Sequence, residues 1–193
     1  MFKRNVLALA ALTWIPAAWP QALDPHITNY ETPGNLVAKH PLVCSTVGKL
    51  KDTDTPADLY AGMVDCAKHQ RYEDAVYFFA LAGVYSYFDA MRVIDETAHD
   101  AHSVLTLNAM TQLDDATKQA VFAQLKATLG DPAKLPAACM AITRIGPPNY
   151  FPEYMVQHGM DAVNGKVQGN GLLPDFDAKV AWQKSLDGYL HCH

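Results

Sequence analysis

The chain has 193 residues, half of them apolar, with 15 basic residues against 20 acidic ones and a net charge of −5. That length and apolar content suit one ordinary domain with a packed core, which argues against a largely disordered chain. An acidic balance without any Lys/Arg cluster leaves no basis for binding nucleic acid or an anionic membrane surface.

Residues 1–22 have the order of a secretory signal peptide. Lys3 and Arg4 precede an apolar run from Val6 to Ile15, with Thr13 its one polar residue, followed by small residues and prolines. The run is too short to span a bilayer, which takes about 20 residues, and no later segment is long and apolar enough for a second span. Cleavage after Ala22 is expected, with Ala18 as a further small-residue site. Loss of Lys3 and Arg4 leaves 13 basic residues against 20 acidic ones, a net charge of −7. The mature protein is therefore expected in the periplasm, without a transmembrane segment.

Residues 23–41 hold Pro25, Pro33, Gly34 and Pro41 among polar residues and read as an extended arm. A single all-α domain is expected over 42–193. Thr55-Pro56-Ala57-Asp58 starts a helix, with a capping hydroxyl, a proline at the first helical position and an acid at the third. Leu59, Met63 and Cys66 then share one face. After the polar break His69-Gln70-Arg71, residues 72–84 form a strongly apolar helix, with a bend expected over 85–89. Met91, Ile94, Ala98, Ala101 and Leu105 recur at intervals of three and four and predict a helix over 90–107. Another runs over 116–129 and ends at Gly130-Asp131-Pro132. Shorter helices are expected over 135–145, 153–163 and 177–190. Between them lie the proline segment at 146–152 and a glycine-rich loop at 165–173, read as a connection. No segment alternates with period two. The fold class is thus all-α, a compact bundle of six to seven helices.

Cys44, Cys66, Cys139 and Cys192 are even in number, and an oxidising compartment favours disulfides. Of the three connectivities four cysteines allow, Cys44–Cys66 with Cys139–Cys192 joins segments that antiparallel helix packing brings close. No C-x-x-C pair supports a metal site instead.

Two segments stand out chemically. Asp95, Glu96, His99 and His102 include an E-x-x-H pair on the expected 90–107 helix. Carboxylate-bridged metal bundles use two such pairs, and only one is present, so no metal or cofactor is expected and a polar helix face is the simpler reading. No H-E-x-x-H, G-x-S-x-G or phosphate-cradling glycine loop occurs, so no catalytic residues are assigned. The second segment runs from Gly146 to Gly159. Its prolines set the backbone in advance, and its aromatics offer large contact area at low entropic cost. Pro147, Pro148, Asn149, Tyr150, Phe151, Tyr154 and His158 are the candidate partner-binding residues. The competing reading makes Phe151 and Met155 core residues fastening a loop.

Tyr72 to Ala82 resembles the second helix of a tetratricopeptide or Sel-type repeat, with Ala75, Phe79 and Ala82 at its small, aromatic and small positions. The likeness covers one helical hairpin over 57–84, and no second copy follows at a fixed period. It implies tight αα packing and a protein-binding scaffold. Taken with the leader at 1–22 and the aromatic proline loop at 146–155, this hairpin gives a chain that resembles the periplasmic immunity proteins of Gram-negative bacteria, made against secreted toxins such as those of type VI secretion systems. The resemblance implies a protein partner, a toxin attacking the envelope as a peptidoglycan hydrolase, lipase or zinc metallopeptidase, whose active site the domain would occlude. The alternatives are an envelope enzyme or metal-binding protein using the Asp95–His102 face, and a helical envelope scaffold.

Overall fold

In the computed structural model, which describes residues 32–192, the first long helix is fixed by its cap. Thr55 accepts a hydrogen bond from the Asp58 amide while Asp58 accepts one from the Thr55 amide, and Pro56 opens α1 (Pro56–Lys68). The expected signal peptide at 1–22 lies outside the described residues, as do residues 23–31 of the arm. Residues 32–41 cross the domain surface. The Leu36 amide donates to the Tyr154 carbonyl at 3.1 Å, and the His40 amide donates to the buried Asp58 carboxylate at 2.7 Å.

A short turn leads from α1 into α2 (Tyr72–Arg92), which runs for 21 residues. The bend expected over 85–89 is absent. Nothing between Gly83 and Arg92 removes a donor or favours another backbone, and Val84, Tyr85 and Phe88 are all buried there. The hairpin is formed, and its closest approach is at Gly62: a Cβ at that position would lie 2.2 Å from the ring of Phe78. Ala75 and Ala82 are fully buried, while Phe79 is only half-buried and packs edge-on against Tyr60. Helix α2 is the axis of the domain, packed against α1 and against each longer helix that follows.

The helix expected over 90–107 is interrupted. Val93 leaves α2 in an extended conformation and pairs with Leu172, while the Ile94 amide donates to the Gly171 carbonyl at 2.9 Å. The end of the glycine-rich loop is thereby pinned to the end of α2. Asp95 then caps a 3-10 turn (Glu96–Asp100) that leads into α3 (Ala101–Thr111). The apolar repeat that suggested one helix survives because Ala98, Ala101 and Leu105 still face the core.

Helix α4 (Asp115–Thr128) is capped by Asp114 and followed by Gly130. A Cβ on Gly130 would stand 2.7 Å from the Lys126 carbonyl oxygen, which explains the glycine. Helix α5 (Leu135–Ile145) ends at Gly146, whose φ of +95° an L side chain rarely adopts. The segment expected as one helix over 153–163 is two single turns, α6 (Glu153–Val156) and α7 (Met160–Val163), broken at Gly159. A Cβ on Gly159 would meet Asp95 at 2.1 Å, so the break lets that carboxylate in. Helix α8 (Ala178–Ser185), capped by Asp177, passes into a π turn (Leu186–Leu190).

The described residues thus form an all-α fold of eight helices with no strand, stapled by two disulfides. Cys44 is bonded to Cys66 on α1, and Cys139 on α5 to Cys192 beyond the π turn. No described helix is long and apolar enough to cross a membrane.

Candidate functional site

The proline segment after α5 is held by four long-range hydrogen bonds. Tyr85 donates its hydroxyl to the Gly146 carbonyl at 3.0 Å, and the Asn149 amide donates to the Asp52 carbonyl at 2.7 Å. Tyr150 and Tyr154 donate theirs to one oxygen of Asp89, at 2.9 and 2.8 Å. The other Asp89 oxygen accepts from Arg92, Nε at 2.8 Å. The Arg92 guanidinium in turn stacks over the rings of Phe88 and Tyr150, 5.2 and 5.3 Å from their centroids.

Asp89 is fully buried in α2. Burial raises its carboxyl above the ordinary range, with Arg92 and the two hydroxyls pulling the other way. Burial and then the Asp89 charge hold both tyrosine hydroxyls well above their usual range, so they stay protonated donors. A buried carboxylate with three partners is a fastening device, since loss of any partner leaves polar atoms unpaired away from water.

This network sorts the seven residues expected to meet a partner. Tyr154 and Pro148 are buried and serve the core, as does Met155, while Tyr150 is half-buried with its hydroxyl turned inward. His158 is half-buried too, its Nδ1 2.9 Å from the Asn35 side-chain oxygen in the arm, and burial pushes its imidazole below the usual pKa. Pro147, Asn149 and Phe151 remain on the surface, with Phe151 47% exposed. The loop is therefore built from both kinds of aromatic: Tyr150 and Tyr154 anchor it, and Phe151 is offered outward.

The second candidate segment comes apart in space. Asp95 accepts from the Thr97 amide and hydroxyl, at 2.9 and 2.6 Å, and from the Asp161 amide at 2.8 Å. Partial burial raises its pKa, but these hydrogen bonds outweigh that and leave it below the ordinary value. His99 places Nε2 3.2 Å from the Val93 carbonyl. His102 lies elsewhere, with Nδ1 3.3 Å from the Tyr60 hydroxyl and its ring edge-on to Tyr189. Burial lowers the His102 pKa. Glu96 is exposed. Because a helix break follows Arg92, the four side chains do not converge as the single-helix reading required. Among the described residues no group of three or more His, Cys, Asp or Glu is placed to hold a metal ion.

A third feature was not singled out from the sequence. An open groove of about 740 Å³ lies between α5 and the C-terminal turn, with the Cys139–Cys192 disulfide in its wall. Leu135, Pro136, Met140 and Leu186 make it apolar, and Met140 is 63% exposed. The signal in the sequence was the apolar face of 135–145, which ends in Thr143-Arg144. What made it a groove is the return of the chain end to α5.

Comparison with protein-family models, with curated protein sequences and with solved structures finds no match to this chain.

Proposed function

We propose that the protein is an exported inhibitor of a secreted antibacterial toxin, an immunity protein that acts in the periplasm by covering the toxin's active site. The observation that carries this reading is the clamped loop. Hydrogen bonds to Tyr85, Asp52 and Asp89 hold the backbone of 146–154 in place, so Pro147, Asn149 and Phe151 are presented without a large ordering cost on binding. An exposed aromatic on a rigid frame is the usual form of an interface anchor. Two disulfides suit an oxidising compartment. The net negative charge of the chain suits a partner with a basic cleft.

The test is genetic and then biophysical. A toxin encoded beside this gene should kill a strain lacking the protein, and rescue should require the exported form. Protection that survives removal of residues 1–22 would place the action elsewhere. With the toxin in hand, Phe151→Ala should weaken the complex by about 2 kcal/mol, as truncation of an anchor does. Unchanged affinity with an intact fold would move the contact face away from this loop.

A further inference from the structure

We infer that the groove between α5 and the C-terminal turn is a binding site for a single-chain anionic amphiphile of the long-chain carboxylate class. This goes beyond the inhibitor reading and does not depend on it. The groove's polarity is graded along α5: Leu135 and Pro136 line it at the start of the helix, Met140 at the middle, and Thr143 and Arg144 toward the end. Leu135 and Arg144 are nine residues apart, about 13.5 Å along a helix. Such a surface matches an apolar tail with a charged head.

Charge sets the sign of the head. In a chain of net charge −5, no Asp or Glu lines this groove, and its ionisable groups are Arg144 and His191. Arg144 is exposed and makes no ion pair or side-chain hydrogen bond among the described residues, so its five N–H donors are available to a carboxylate. Size sets the class. A volume of about 740 Å³ falls within the range of small-ligand sites, roughly 300–1,000 Å³. Eleven residues line the groove, short of the roughly 20–30 a side that a stable protein interface uses.

The experiment is calorimetric titration of the full disulfide-bonded chain with dodecanoate below its micelle concentration. Dodecyltrimethylammonium, with the same tail and the opposite charge, is titrated in parallel. Dodecanoate should bind saturably, one to one, and at least about tenfold more tightly than the cation. Arg144→Gln should weaken dodecanoate about tenfold and leave the cation no weaker, while Met140→Asp should abolish dodecanoate binding. Both side chains are exposed, so the variants should keep the parent melting temperature. If Met140→Asp does not, Met140→Ser carries the same expectation of weaker binding. Val180→Asp, at an exposed position outside the groove, should change nothing. Absence of saturable binding, equal affinity for the two amphiphiles, or full affinity in Arg144→Gln would each overturn the assignment. So would binding of an apolar peptide with a free C-terminal carboxylate where dodecanoate fails, which would give the groove to a protein segment.

Discussion

The two disulfides stand in different surroundings. Cys66 is fully buried on α1, and its partner Cys44, itself partly exposed, has its amide held by Asp65 at 2.7 Å, so one sulfur of the first bond lies inside the packed hairpin. Cys139 and Cys192 are both partly exposed, and the second bond is a wall of an open groove. The hairpin side of the molecule is closed by packing around the first bond. The C-terminal edge, where α8 loosens into a π turn and His191 adopts a left-handed backbone, buries Leu186 and Leu190 in the core and is joined to α5 by a covalent tie. A region that is held by contacts resists change at every residue. A region packed on one side and tied by a bond on the other can stay open and still be ordered.

The strongest test of the closed side is Asp89→Ala. It would leave the Arg92 guanidinium buried without its carboxylate and two tyrosine hydroxyls without an acceptor, at a cost of about 3–5 kcal/mol in urea unfolding. A cost below about 1 kcal/mol would mean that the network does not fasten the loop to α2.

Glycine-to-alanine changes compare the two sides directly. Gly62→Ala drives a methyl into the ring of Phe78, which is fully buried and has nowhere to go, so a loss of about 1–3 kcal/mol is expected. Gly83→Ala meets Tyr189 just as closely, but that ring belongs to the C-terminal edge and is only half-buried. It should cost less because Tyr189 can shift; the gain of up to about 1 kcal/mol that alanine brings to a helix interior applies at both positions and does not separate them. Equal losses by chemical denaturation would erase the contrast.

Graded reduction of the native protein gives the next comparison. Exchange needs a thiolate to reach a sulfur, so Cys139–Cys192 should open well before Cys44–Cys66, as read by alkylation and mass spectrometry. Simultaneous opening of both would show that the edge is as closed as the hairpin.

The smallest effect is that of pH. The folded-state pKa values of His102 and His158 lie below the unfolded value, so their neutral forms are favoured by folding. The corresponding stability is present above about pH 6.5 and is lost as pH falls through the folded values. Asp89, with a raised pKa, works with the opposite sign, its contribution falling as pH rises. The histidine part is therefore read by difference: His102→Phe should flatten the fall in urea midpoint between pH 7 and pH 5.5. An unchanged slope would mean that His102 is free to protonate in the fold.

Much of this fold was legible along the chain because its signals are local. The Thr55–Asp58 cap, the Asp114 cap, the glycine after α4 and the prolines after α5 each act within a few residues. The cysteine pairing was legible too, as a consequence of antiparallel helices. The candidate sites were less so. The sequence marked Tyr150, Phe151 and Tyr154 as one aromatic set, yet two of them face inward because their acceptor, Asp89, lies 61 and 65 residues earlier. The Asp95–His102 segment promised one face because its spacing is helical. The bridge between Val93 and Leu172 cancelled that spacing.

By itself, then, the sequence determined the helical class, the capped starts and glycine stops, the four cysteines as two pairs and the acidic charge, since these follow from short-range chemistry and composition. Only the tertiary structure decided which aromatics anchor and which are offered, where α2 ends, and that a groove opens beside Cys139–Cys192. Each of those depends on a buried carboxylate, a backbone pairing or a chain end meeting a partner tens of residues away, and burial is a property of the packed whole.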